Sequence, residues 1–307
     1  MPPRRGQLLP LLLLSSILLF ALLRPPLSPF QVTKNTQFTK TALPAVETVN
    51  ERYGSSMKTM QSHADIPSTC AAFNELNPDP TARNLGVTGL FNSGTNLLSY
   101  LLIGNCELPE AFDARLRASN AQVTWGKHNP LSFRSIYTAP RSTGISPETV
   151  LPILVIKDLH TFASSLCNRR YALSFADKTP GCHLDSPVTV PNPANSEKKT
   201  YTSLIAYYNE FYTAYLDVDF PWLLVRHEDL LFRQHEVVKT VCECVGGSVE
   251  AKFHEFTKSA SERGVDGREE ALRKYSDERY IDGEWTDAER EAFKGIDARL
   301  NERLQYV

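Results

Sequence analysis

Charge of one sign is what this chain lacks first. Its 33 lysines and arginines stand against 35 aspartates and glutamates, a formal net charge of −2. A nucleic-acid partner calls for a basic surface, so none is implied, and any anion site must be local and built from a few side chains. No Asn-x-Ser/Thr sequon occurs, so glycosylation gives no clue to compartment. No internal repeat is present, which excludes a solenoid or propeller. The Gly-x-x-x-x-Gly-Lys-Ser/Thr loop is absent, and with it the reading of an ordinary ATPase. Cys242-Glu243-Cys244 lacks the two-residue spacer of a zinc knuckle or a thioredoxin motif. On a helix these two side chains point about 200° apart, so a shared metal is not expected and both are expected to be small core residues.

Long apolar runs are equally scarce, with one exception at the N-terminus. Arg4 and Arg5 precede an uncharged, leucine-dominated run from Leu8 to Leu23, which Arg24-Pro25-Pro26 stops. Two readings compete, a signal peptide and a short signal anchor with the arginines in the cytosol. The run is shorter than the usual span of about 20 residues. No small-x-small cleavage site follows Leu23, which favours the uncleaved anchor. Residues 1–7 are then a cytosolic tail and 8–23 a transmembrane helix. Residues 24–83, rich in Pro, Ser, Thr, Asn and Gln, read as a stem, and 84–307 as a lumenal domain. With six cysteines and such a location disulfides are permitted, and Cys167 and Cys182, bracketing a short polar loop, are the expected pair.

Beyond the stem, strand-like apolar runs alternate with helical patterns. Strands are expected at 85–91, 122–125, 151–156 and 222–225. Helices are expected at 95–103, 161–171, 202–216, 234–245 and 287–304. This alternation implies a parallel sheet covered on both faces, whose ligand sites lie at the carboxyl ends of the strands. The loops to inspect follow Phe91, Trp125, Ile156 and Val225.

After the first strand, Phe91-Asn92-Ser93-Gly94-Thr95-Asn96 runs straight into a helix. A glycine there lets backbone amides and the helix N-terminus face an anion, and Ser93, Thr95 and Asn96 add side-chain donors. After the third, Lys157 is followed eight residues later by Ser165, so a cation and a hydroxyl could converge on one phosphate.

Together these loops resemble the sulfotransferase superfamily, which binds 3′-phosphoadenosine 5′-phosphosulfate (PAPS) on a P-loop-like fold. Asn92-Ser93-Gly94-Thr95-Asn96 stands where that family grips the 5′-phosphosulfate. Lys157-Asp158-Leu159 with Ser165 matches its grip on the 3′-phosphate. Gly126-Lys127-His128-Asn129-Pro130 resembles the strand end that carries its catalytic histidine, and His227-Glu228-Asp229-Leu230 its Tyr-Glu-Asp-Leu segment. The four motifs are in the family order over about residues 85–250.

The resemblance implies a three-layer α/β/α domain with a central parallel sheet behind a single N-terminal anchor helix. It implies transfer of a sulfuryl group from PAPS, without a metal, to a hydroxyl, with a glycan as the expected acceptor, in the Golgi lumen by a type II membrane protein. His128 is the expected general base, a role that suits an imidazole with an ordinary pKa of about 6.5. Arg279 is the match to a basic segment that binds the 3′-phosphate, and His227 lies near the nucleotide. Residues 169–208 are the expected acceptor-side lid.

Three features depart from the family. Asn92 replaces a Lys or Arg that meets the bridging oxygen of the phosphosulfate, and Lys127 is the nearest replacement cation. Lys157 stands in for an arginine, and His227 for a tyrosine. Glu228 and Asp229 are expected to be structural, Asp229 as a cap. Two rival readings remain open: a non-catalytic binder of nucleotide or glycan, motivated by Asn92, and a metal-dependent glycosyltransferase, motivated by Asp217-Val218-Asp219.

Overall fold

The computed structural model describes residues 43–54, 56–57, 59–136, 144–168, 170, 173–176, 184–191, 198–255, 268–277 and 285–304. The expected anchor, Cys182 and Arg279 lie outside the described residues. Among the described residues no helix is long and apolar enough to cross a membrane.

The chain enters through α1 (Leu43–Tyr53), β1 (Thr59–Gln61) and α2 (Ile66–Leu76), then forms β2 (Asn84–Gly89) and α3 (Thr95–Asn105). Next come β3 (Cys106–Glu107), α4 (Glu110–Ala118), the single turn α5 (Phe133–Ile136), β4 (Val150–Ile156) and α6 (Leu159–Asn168). Three short strands, β5 (Ser174–Phe175), β6 (Val188–Pro191) and β7 (Lys198–Tyr201), lead to α7 (Leu204–Leu216). Then follow β8 (Leu223–Arg226), α8 (His227–Phe232), α9 (Gln234–Cys244), β9 (Ser248–Val249), α10 (Arg268–Tyr275), α11 (Asp287–Phe293) and α12 (Ala298–Leu304).

The main sheet has the order β1-β8-β4-β2. Strands β8, β4 and β2 are parallel, with Leu85 opposite Leu151 and Val155 opposite Val225, while β1 is an antiparallel edge. The fold is thus mixed α/β around a parallel three-strand sheet. Every residue of β4 is buried. Its side chains alternate as the pleat requires: Leu154 and Ile156 join one apolar cluster with Tyr208 and Tyr212 of α7, and Ile153 and Val155 another with Leu98 of α3 and Val241 of α9. A strand apolar throughout is what burial on both faces demands.

The expected strand at 122–125 is a single parallel bridge, Val87 to Gln122. The chain hugs β2 there, with Gly89 N–H donating to Lys127 O at 2.8 Å. Gly86 permits this, since a Cβ would lie 2.6 Å from the Val123 Cα. The single C-terminal helix expected at 287–304 is two, α11 and α12, separated around Gly295.

Much of the expected stem belongs to the folded body. Val49, Tyr53 and Phe73 are buried, β1 completes the sheet, and Arg226 donates to Tyr53 O at 2.6 Å. The polar composition of this region hides a few apolar residues that suffice to dock two short helices.

The cysteines of α9 are buried in the core, as expected, but each is also bridged. Cys244 is bridged to Cys70 of α2, and Cys242 to Cys106 beyond α3. The same divergence of side chains that argues against a shared metal sends each sulfur to a different neighbour. Cys167 is disulfide-bonded; Cys182, its expected partner, lies outside the described residues.

Candidate functional site

The carboxyl ends of β2, β4 and β8 carry the loops singled out by sequence. After β2 the chain turns through Asn92 at φ 64° and Gly94 at φ 99° before α3 begins at Thr95. Left-handed residues on either side of Ser93 are the pattern from which anion-holding backbone concavities are built. Gly94 is required twice over, by its φ and because a Cβ would collide with the His227 ring. The first amides of α3 have no acceptor within the helix and carry the positive end of its dipole.

The side chains of this loop divide in an unexpected way. Ser93 is fully buried, and both its hydroxyl and its amide donate to Leu90 O, at 2.7 and 3.2 Å. It braces the strand end and presents no donor outward. Thr95 is also buried, whereas Asn96 is exposed. Asn92 turns its amide to Ser165 O of α6, at 3.3 Å.

Lys157 and Ser165 meet as their spacing requires. Lys157 Nζ donates to Ser165 Oγ at 2.7 Å. The Lys157 carbonyl is held by the Tyr208 hydroxyl at 2.9 Å, and Val155 O by Tyr212 at 2.8 Å. Burial pushes both tyrosines far above their ordinary range, so they remain neutral donors. Tyrosines at helical spacing in α7 therefore fix the end of β4, a role that periodicity alone presents as plain core.

His128 lies beside the same loop. Its Nδ1 is 2.7 Å from Gly89 O, and its ring stacks on Phe91 with centroids 4.2 Å apart. A carbonyl only accepts, which assigns the proton to Nδ1 and the lone pair to Nε2. Its pKa is not near the ordinary value: burial, aided by the Lys127 charge, lowers it to about 4. Lys127 Nζ reaches Asn96 Oδ1 at 2.5 Å, and burial lowers its pKa as well.

His227 opens α8, its ring against Gly94 and 6.2 Å from that of Tyr275. Desolvation, then the charges of Lys157 and Lys274, hold it well below its ordinary pKa, so it is neutral. Lys274, on α10, is a cation of this neighbourhood that motif spacing does not assign to the site.

Glu228 and Asp229 are structural. Glu228 accepts the Asp158 amide at 3.3 Å. Asp229, fully buried, binds Arg226 at 2.9 Å and Arg233 at 2.6 Å, so its carboxylate holds two guanidiniums. Asp217 is salt-bridged to Arg299 at 2.8 Å and ends α7, before β8 begins. Of the expected lid, the described residues include the antiparallel sheet β5-β6-β7 and the start of α7, and Phe175, Val188 and Tyr201 pack into the core.

Asn92, Ser93, Gly94, Thr95, Asn96, Lys127, His128, Lys157, Ser165 and His227 thus gather at one end of the parallel sheet, where the loops after β2, β4 and β8 and the segment beside β2 come together. Compared with known protein families, curated proteins and solved structures, the chain matches none.

Proposed function

We propose that this chain is a PAPS-dependent sulfotransferase that moves a sulfuryl group to an acceptor hydroxyl. The observation that carries the reading is the pairing of Lys157 with Ser165 next to the Asn92–Asn96 turn, beside a neutral His128. PAPS presents a 3′-phosphate and a 5′-phosphosulfate, and the site offers a donor set for each. Lys157 and Ser165 suit the 3′-phosphate. The amides opening α3 suit the phosphosulfate.

In this reading His128 takes the acceptor's proton on Nε2 while the acceptor oxygen forms its bond to sulfur. The bond from sulfur to the bridging oxygen breaks, and its electron pair stays on the departing 5′-phosphate. Gly89 O keeps the imidazole in the tautomer that leaves Nε2 unprotonated. A pKa of about 4 makes His128 a weak base but keeps it unprotonated across the physiological range.

The finer architecture is a P-loop-like three-layer α/β/α domain behind an N-terminal anchor at residues 8–23. Disulfides at Cys70–Cys244 and Cys106–Cys242 support an oxidising compartment, in keeping with a Golgi-lumenal domain. The acceptor class in this reading is glycan hydroxyls.

The test uses the full chain with PAPS carrying labelled sulfate and a mixed panel of glycans. Expected is transfer by the wild type, abolished in His128→Ala while that variant still binds adenosine 3′,5′-bisphosphate. Tight binding of the bisphosphate without any transfer would favour the non-catalytic reading. Folded protein that binds neither nucleotide would overturn the proposal.

A further inference from the structure

The bond that breaks in sulfuryl transfer leaves a growing negative charge on a phosphate oxygen. Neutral donors hold such charge less well than a cation placed beside it. The turn Phe91–Asn96 contains no cationic side chain. Its Asn92 amide is directed at Ser165 O, on the helix whose Ser165 hydroxyl receives Lys157. Asn92 therefore links the two loops that would hold the two ends of the nucleotide.

A cation does stand at the turn, brought there by a different segment. Lys127 reaches Asn96 Oδ1 on the first turn of α3. Its backbone is pinned to β2, since Lys127 O accepts from both Gly89 N–H at 2.8 Å and Thr88 Oγ1 at 2.9 Å. The partner of the ammonium is a neutral amide oxygen, which orients the charge without cancelling it. Its pKa is lowered by burial, so some of its hydration is already lost before an anion arrives.

We propose that Lys127 is the catalytic cation of this site, contacting the departing phosphate oxygen, while Asn92 is a positioning residue that joins the two nucleotide-binding loops. This deepens the sulfuryl-transfer reading and rests on it. Adjacent residues then serve the two sides of the sulfur: His128 receives the acceptor's proton, and Lys127, remaining an ammonium throughout, steadies the electron pair left on the 5′-phosphate. The charge is moved from the turn to the neighbouring segment without being lost.

The test compares wild type, Lys127→Gln, Asn92→Lys and the double variant in the full chain. Lys127→Gln is expected to lower kcat about 10²-fold or more, with a smaller loss of affinity for adenosine 3′,5′-bisphosphate. Adding Asn92→Lys to Lys127→Gln is expected to return about tenfold or more of the lost kcat, because it puts a cation back at the turn. A readout without nucleotide accompanies these. The groups facing His128 are the Gly89 carbonyl, the Phe91 ring and Lys127, so Lys127→Gln should raise the His128 titration midpoint by NMR. A kcat for Lys127→Gln close to wild type overturns the proposal, as does a loss that Asn92→Lys does not recover in protein of unchanged melting temperature. A wild type that transfers no sulfate instead sinks the functional reading, and this inference with it.

Discussion

Two groups of charged side chains lie near the carboxyl ends of the sheet, and they are satisfied in opposite ways. Around Asp229, opposite charges meet: Arg226 and Arg233 bind its carboxylate, and Arg226 and Arg233 also donate to the carbonyls of Tyr53 and Gly54 at the end of α1. Around the turn after β2, Lys127 is held by a side-chain amide oxygen and His128 by a backbone carbonyl. In the first group a shared carboxylate holds both guanidiniums, and these in turn tie the end of α1 to α8, a structural role. In the second, the partner of the Lys127 ammonium is a neutral amide oxygen, which orients the charge towards an incoming anion without neutralising it. Both include partly desolvated groups, so burial alone would not tell them apart; the charge of the partner does.

The comparison is sharpest where a partner is removed. Asp229→Ala leaves two guanidiniums without their carboxylate, one of them fully buried, and breaking such a cluster costs about 3–5 kcal/mol. Expected is a large fall in the denaturant midpoint. A normally stable Asp229→Ala that loses only nucleotide binding would break the distinction. The next largest effect concerns the staples on α9. The bridge from Cys70 to Cys244 spans 174 residues of sequence. Replacing both by serine should cost about 2–4 kcal/mol of stability, read as a lowered melting temperature that reductant no longer alters as much.

Lys157→Ala lies at the proposed nucleotide site and should move a different observable. Losing one charge-assisted contact to a phosphate costs about 1.5–3 kcal/mol, roughly tenfold to a hundredfold in affinity for adenosine 3′,5′-bisphosphate. Calorimetric titration checks this, and a melting temperature changed more than the affinity would reassign Lys157 to the fold. For His128 the expected signature is in pH. A base with a pKa of about 4 loses activity only as pH falls through that value, so transfer should be nearly flat from pH 8 to about 5. The sign for stability follows from the same shift. The folded protein holds this imidazole neutral while the unfolded chain protonates near 6.5, so stability falls as pH drops from about 6.5 to about 4. An activity midpoint near 6.5 would place His128 in open solvent.

How far the sequence reached depends on the scale of the signal. The runs at Leu85, Leu151 and Trp222 located the parallel strands, because strands buried on both faces must be apolar throughout. The spacing of Lys157 and Ser165 foretold their contact, since eight residues make about two helical turns. Three things escaped. Docking of α1, β1 and α2 depends on a handful of apolar residues in polar surroundings and on contacts distant in sequence. The partners of Cys242 and Cys244 are tertiary facts that no local pattern encodes. The direction of each side chain in the turn after β2 depends on left-handed backbone at Asn92, a residue whose letter fits several conformations.

Ser93 tests that last point with the smallest expected effect. The motif places its hydroxyl among the nucleotide's ligands, whereas in the fold it donates to Leu90 O from a fully buried position. Ser93→Ala removes that donor while the Ser93 amide still reaches the same carbonyl, so the oxygen keeps a partner. The loss should be about 1 kcal/mol of stability, with bisphosphate affinity essentially that of wild type. Asn96→Ala supplies the contrast, because Asn96 orients the Lys127 ammonium and its loss should lower turnover with little effect on melting. If Ser93→Ala instead weakened the nucleotide more than Lys157→Ala does, the hydroxyl would have to rotate outward on binding. The turn after β2 would then be rebuilt by its ligand, and the division between bracing and binding side chains would hold only for the free protein.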